Sequence, residues 1–194
     1  GILGAPAAAM AAALQVIDGS PPARVVAVSS LYRTPPWGKL DQPDFLNAAA
    51  RLETGLQPRA LLDLCLEAER RLKRVRGERW GPRLIDIDLL LHGTQAVDEP
   101  GLELPHPRML ERAFVMVPLA EIAPDLDLSG RTASERAAEL DSAGIEKLPD
   151  GADWWRRAGG ESERSRCALR APDGLQIHPS CGRRSGLAAP GPAA

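Results

Sequence analysis

Residues 84–91, Leu-Ile-Asp-Ile-Asp-Leu-Leu-Leu, constrain the fold more than any other stretch of this chain. Six of the eight are Leu or Ile, and the run is too short for a free-standing helix, so it predicts a strand. Successive strand side chains alternate between faces. Asp86 and Asp88 therefore share one face, roughly 7 Å apart at Cα by the strand rise. Ile85, Ile87 and Leu89 take the other face, toward a core. Two carboxylates on one side of an apolar strand repel each other and lose hydration, and a divalent cation relieves both costs. Mg²⁺ suits such a pair, since it takes one or two carboxylates and completes its shell with phosphate oxygens and water. Immediately upstream, Arg74, Arg76, Arg79 and Arg83 surround Trp80. Guanidinium groups grip phosphate bidentately. Carboxylate pair, arginines and aromatic together point to phosphoryl chemistry on a nucleotide. The bland alternative is the solvated face of an edge strand beside a solvated loop.

The rest of the pattern is α+β. Residues 5–18 predict a helix, with Pro6 in its first turn and Met10, Ala13, Leu14 and Ile17 on one side. Asp18-Gly19-Ser20-Pro21-Pro22 stops it. Arg24–Tyr32 predicts a strand, rich in valine. The segment 33–38 carries two prolines, which fix φ and remove donors, so it predicts a stiff loop presenting Trp37. Phe45–Glu53 predicts another strand. Arg59–Arg74 predicts a strongly amphipathic helix opened by Pro58, with Leu61, Cys65, Ala68 and Leu72 as its buried stripe. A short strand is expected at 95–97, a proline-stiffened loop at 104–107, and a helix-like apolar segment ending at Pro124. Thr132-Ala-Ser-Glu135 is a capping box opening a helix to Leu140. Residues 145–148 suit a last strand. Beyond Asp150, Gly, Ser, Arg, Pro and Ala dominate and periodicity vanishes. The expected organisation is a domain over 1–150 and a mostly disordered tail over 151–194, within which Trp154 and Trp155 dock locally.

Bulk properties exclude several classes. The net charge of −2 suits neither a nucleic-acid coat nor a polybasic membrane anchor. The three cysteines have no disulfide or zinc spacing, and Cys65 fits a core thiol in a reducing, cytoplasmic compartment. No apolar run is long enough to span a membrane. Neither a Walker A loop nor a Gly-x-Gly-x-x-Gly turn occurs. A phosphate site must then be built from side chains and metal.

Taken in order, Thr34-Pro35-Pro36-Trp37-Gly38, Asp41-Gln42-Pro43-Asp44-Phe45-Leu46-Asn47, Arg74-Val75-Arg76, Arg79-Trp80-Gly81-Pro82-Arg83, Asp86-Ile87-Asp88, Pro105-His106-Pro107, Arg112 and Phe114 closely resemble the 6-hydroxymethyl-7,8-dihydropterin pyrophosphokinases of folate biosynthesis. The likeness covers about residues 5 to 150 and is most specific from Arg79 to Asp88. It implies a ferredoxin-like α+β fold, a mostly antiparallel sheet with helices on it, acting as a monomer. It implies transfer of pyrophosphate from ATP to the pterin hydroxymethyl oxygen with two Mg²⁺ ions. Asp86 and Asp88 would hold the metals, and Arg74 and Arg83 would steady phosphate charge in the transition state. Arg76, Arg79, Trp80, His106 and Arg112 would serve the ATP side. Phe45 and Phe114 would sandwich the pterin, Asn47 would read its polar edge, and Thr34, Pro35, Pro36 and Trp37 would help enclose it. Glu69 is a further candidate.

Two phenylalanines in the whole chain, both at stacking positions, exceed what composition alone would lead one to expect. On burial statistics alone both would be core residues. Family members usually open with a strand and a Gly-Ser-Asn-Leu-Gly turn, whereas this chain begins Gly1-Ile2-Leu3-Gly4-Ala5-Pro6; the expectation is a sheet without that strand. Two alternative classes exist. One is a ferredoxin-like fragment that binds nucleotide without turnover, which would bind Mg-ATP but form no AMP. The other is an RNA-binding module using Trp80 and the arginines, disfavoured by an aromatic content of 4% and discriminated by a salt-dependent RNA shift.

Overall fold

The structure is a computed structural model and describes residues 5–35, 44–75 and 85–157. Its elements run α1 (Ala5–Asp18), β1 (Ala23–Val28), β2 (Tyr32–Thr34), β3 (Phe45–Asn47), β4 (Ala50–Thr54), α2 (Pro58–Val75), β5 (Val97–Glu99), β6 (Leu102–Leu104), a 3-10 turn (Met109–Glu111), α3 (Ala113–Ile122), α4 (Ala133–Glu139) and β7 (Glu146–Lys147). The α+β class is as expected, and every ladder among the described residues is antiparallel.

The two long strands predicted at 24–32 and 45–53 each divide in two. β1 pairs with β4, from Ala23 opposite Thr54 to Val28 opposite Ala50, and β2 pairs with β3, from Tyr32 opposite Asn47 to Thr34 opposite Phe45. Between them the chain bends at Ser29–Leu31. The bend stays bonded: Ser29 N–H donates to the Ala49 carbonyl at 2.9 Å, and Ala49 N–H donates to Ser29 Oγ at 2.9 Å. Buried backbone groups require such partners. β7 pairs along the other edge of β2. β5 and β6 form a separate hairpin, so the ladders make three small sheets rather than one.

The predicted strand at 84–91 is corrected. Residues 85–92 form no ladder among the described residues. Its backbone is held differently: Ile87 N–H donates to Glu69 Oε1 at 2.8 Å, and the Leu90 carbonyl accepts from His106 N–H at 2.9 Å. Strand propensity does not make a strand without a neighbour in register. The alternation itself is present, with Ile85, Ile87 and Leu89 half-buried and Asp86 and Asp88 exposed.

Two apolar clusters organise the packing. The first joins α1 (Ala7, Ala11, Ile17), β1 (Val25, Val28) and α2 (Cys65, Ala68) with Leu31, Trp154 and Trp155. Trp154 is 1% exposed, and its indole N–H donates to the Ser29 carbonyl at 2.9 Å. Gln15 Nε2 donates to the Trp155 carbonyl at 2.7 Å. The packed unit therefore runs past the expected boundary at 150; residues 158–194 lie outside the described part. The second cluster joins α3 (Met116, Leu119) and α4 (Ala133) with Ala49, Met109 and Leu128. α4 opens with the expected capping box: Glu135 N–H donates to Thr132 Oγ1 at 3.2 Å, and Thr132 N–H donates to Glu135 Oε2 at 2.8 Å. No described helix is long and apolar enough to cross a membrane.

Candidate active site

The expected pterin-side residues stand on elements that touch. α3 packs against β2, β3 and β4. Phe114 lies in the first turn of α3, and Phe45 opens β3. Phe45 is 52% exposed and Phe114 37%, so neither is a core residue. Both retain free ring surface, which costs free energy in water and is regained when a flat ligand covers it. Asn47, two residues along β3 from Phe45, shares its face. Asn47 Nδ2 donates to Thr34 Oγ1 at 2.8 Å, and that hydroxyl donates to the Phe45 carbonyl at 3.4 Å. Thr34 is buried, so this chain fixes the plane of the Asn47 amide against the Phe45 backbone. Pro35 is exposed at the end of β2. Its ring lies 3.1 Å from where a Cβ on Gly144 would sit; Gly144 has φ +80° and closes the turn leading to β7. Pro36 and Trp37 lie outside the described residues.

The phosphate side is built around residues 85–92 and the loop after β6. Asp86 and Asp88 are exposed while Ile87 packs against the first core. Glu69, in α2, is 7% exposed, and its carboxylate takes up the Ile87 N–H between the two aspartates. A side chain thus satisfies this backbone donor where the described residues supply no ladder partner. Among the described residues no three His, Cys, Asp or Glu side chains close around a common point. Two exposed carboxylates fit the donor set of Mg²⁺, which completes its shell with phosphate oxygens and water.

Asp88 also borders a cavity of about 360 Å³, together with Leu62, Leu89, Leu102, Glu103 and His106. Its lining mixes apolar Leu62, Leu89 and Leu102 with the carboxylates of Asp88, Asp98, Glu99 and Glu103. Leu104–Pro105 is a cis peptide, and His106 follows it, half-buried. Arg108 N–H donates to His106 Nδ1 at 3.2 Å, so the neutral imidazole carries its proton on Nε2. Arg112 lies with its guanidinium carbon 5.8 Å from the Phe114 ring centroid, a cation–π contact between two of the expected site residues. Arg74 is in the last turn of α2. Arg76, Arg79, Trp80 and Arg83 lie outside the described residues.

Sequence reasoning missed the cavity walls on α2 and the β5–β6 hairpin, because nothing local marks Leu62 or Leu102 as lining residues. It also missed Glu121, the one charged residue of α3. A lone carboxylate in an otherwise apolar helix is a signal that a partner exists, though not of which one. Here Ser30, Tyr32 and Lys147 all donate to it.

Comparison with known proteins fits this geometry. Residues 2–124 match the family model described as 7,8-dihydro-6-hydroxymethylpterin-pyrophosphokinase. The chain is 52% identical over 146 residues to the 2-amino-4-hydroxy-6-hydroxymethyldihydropteridine pyrophosphokinase of Methylorubrum extorquens, covering 75% of this chain and 92% of that protein. It is 49% identical over 139 residues to the enzyme of the same name from Pseudomonas aeruginosa, covering 71% and 86%. A folate synthesis bifunctional protein, mitochondrial, of Pisum sativum is 40% identical over 134 residues, which are 69% of this chain and 25% of that protein. With the family model spanning well over half its length and two such relatives matched along most of theirs, this chain belongs to the 7,8-dihydro-6-hydroxymethylpterin-pyrophosphokinase family.

Proposed function

We propose that this chain transfers the pyrophosphoryl group of ATP to the hydroxymethyl oxygen of 6-hydroxymethyl-7,8-dihydropterin, releasing AMP. The observation that carries this reading is the pair of exposed phenylalanines on touching elements, with Asn47 positioned by Thr34 on the strand face it shares with Phe45. Phe45 and Phe114 hold the flat ring between them, and Asn47, fixed by Thr34, reads its donor–acceptor edge. Pro35, Pro36 and Trp37 would help enclose it. The adenosine of ATP enters the cavity between Leu62 and the β5–β6 hairpin, and its triphosphate runs past His106 toward Asp88.

In the transfer, the pterin oxygen forms a bond to the β-phosphorus while the bond from that phosphorus to the oxygen of AMP breaks; the hydroxyl proton leaves to water. Asp86 and Asp88 would hold two Mg²⁺ ions, which would supply neutralisation of phosphate charge and polarisation of the attacking hydroxyl. Phosphoryl transfer depends mainly on positioning and charge stabilisation. Arg74 and Arg83 supply fixed positive charge to the transferring group, and Arg76, Arg79, His106 and Arg112 steady the rest of the triphosphate. Trp80 would help exclude water from the transfer. Scattered cysteines without disulfide or zinc spacing, with Cys65 a buried free thiol, support action in a reducing cytoplasm. With a balanced net charge the enzyme works as a monomer on small molecules, without nucleic acid or membrane.

The test is product analysis with Mg-ATP and the reduced pterin. AMP and pterin diphosphate in equal amounts are expected. ADP or free phosphate as the nucleotide-derived product, or no pterin-dependent consumption of ATP, overturns the assignment.

A further inference from the structure

The carboxylate of Glu121 gathers four hydrogen bonds from three segments of the chain. Ser30 N–H donates to Oε2 at 3.1 Å and Ser30 Oγ to Oε1 at 2.9 Å. Tyr32 Oη donates to Oε2 at 2.8 Å, and Lys147 Nζ to Oε1 at 3.0 Å. Ser30 sits in the bend between β1 and β2 and is 2% exposed. Tyr32 begins β2, and Lys147 ends β7. Charge-assisted bonds of this kind are stronger than neutral ones, and four on one carboxylate leave it little freedom.

Its position in the fold gives the clamp a consequence. Glu121 lies two turns along α3 from Phe114, about 10 Å by the helical rise. Residues i and i+7 share a helix face. Tyr32 pairs with Asn47, and Thr34, two residues on, pairs with Phe45. The helix wall of the proposed pterin site (Phe114) and its strand wall (Thr34, Phe45, Asn47) are therefore tied through one side chain that touches neither ring. Pro118, inside α3, removes one backbone hydrogen bond between the two ends of that helix, so anchoring its far end matters more.

We infer that Glu121 is a positioning residue for the pterin site, setting the distance between Phe114 and the Thr34–Phe45–Asn47 strands while the ATP cavity is built independently of it. The inference rests on the pterin reading above. The cavity walls come from α2, residues 87–89, the β5–β6 hairpin and the loop after it, and none of these bonds to Glu121.

The experiment compares wild type, Glu121→Gln and Tyr32→Phe in steady-state AMP release, varying pterin and Mg-ATP separately, with thermal melting alongside. Glu121→Gln keeps the shape but replaces one acceptor oxygen with a donor that faces other donors. Its KM for pterin should rise about tenfold, the scale of one lost charge-assisted bond, with KM for ATP within about twofold of wild type. Tyr32→Phe removes a single donor and keeps the ring; its pterin KM should rise about threefold in the same selective way, with a near-wild-type melting point. Should Glu121→Gln fail to fold, Tyr32→Phe decides alone. Lowered melting with both KM values unchanged, or an equal rise in both, overturns the inference by making the clamp merely structural. A wild-type chain that turns over no pterin overturns the functional reading, and this inference with it.

Discussion

Phe45 and Phe114 leave ring surface in water, yet each belongs to a well-packed element. Removing either ring should then cost little stability and much substrate affinity. For Phe114→Ala we expect a melting point within about 2 °C of wild type, because a half-exposed ring contributes far less than a buried one. Its KM for pterin should rise at least about tenfold, the value of one good aromatic stack plus the area covered. A large drop in melting point with unchanged KM would make Phe114 a core residue after all. Asp88 offers a second test at this scale. Asp88→Asn keeps size and shape but replaces one acceptor oxygen with a donor and loses the negative charge that would draw Mg²⁺. Turnover should fall by about a thousandfold or more, since metal charge stabilisation is worth several kcal/mol. The fold should persist, because Asp88 is exposed and Ile87, not Asp88, packs inward. Wild-type turnover in Asp88→Asn would remove it from the metal site.

At the scale of elements, what was legible in the sequence is what depends on local chemistry. α1 spans 5–18 as its alanine-rich periodicity and the Asp18-Gly19 stop predict, and α2 begins at Pro58 with Leu61, Cys65 and Ala68 buried. The α4 cap is legible for the same reason, since both of its bonds form within four residues. Thr132→Ala removes the side-chain acceptor for Glu135 N–H. It should lower stability by about 1 kcal/mol, the usual worth of an N-cap, with turnover unchanged. An unshifted melting point would mean that packing of Ala133, which is fully buried, holds the helix end alone. Strand pairing was less legible. The apolar run at 84–91 alternates as expected but forms no ladder among the described residues, because a ladder needs a neighbour in register and sequence alternation does not supply one. The bend at Ser29–Leu31 escaped notice too, since valines on one side and Tyr32 on the other read as one continuous strand. For the site, Asp86, Asp88 and the two phenylalanines stood out by spacing and rarity. Glu69 was a candidate from the sequence, but its bond to Ile87 N–H, the Glu121 bonds and the cavity walls join partners distant in sequence, and only the folded chain brings them together.

Whole-molecule cohesion runs through contacts that no local pattern announces. Trp154 and Trp155 follow a composition change that reads as the start of a tail, yet they complete the core under α1 and β1. Glu121 likewise joins residues about ninety positions apart, and this has a pH consequence with a definite sign. Burial raises the Glu121 carboxyl, but hydrogen bonds from Lys147, Tyr32 and Ser30 outweigh it and hold the group below its ordinary value of 4.5. The neighbouring Tyr32 hydroxyl is pushed up by burial and by the same carboxylate, so it stays a donor throughout the working range. A carboxyl whose folded pKa is depressed contributes stability that is fully present above the unfolded value and is lost as pH falls through the folded one. The Glu121 contribution should therefore hold at neutral pH, begin to fade near 4.5 and vanish below the folded value. Melting curves of wild type and Glu121→Gln, taken from neutral pH down to about pH 3, test this. Wild type should melt higher at neutral pH, and the two midpoints should converge below 4.5 as the wild-type carboxyl takes up its proton. Other carboxylates, including the capping Glu135, contribute equally to both proteins and cancel in the difference. Midpoints that stay parallel to the lowest pH would show that the Glu121 charge does not hold α3 to the strands, and that the shape of its side chain alone fixes the two walls.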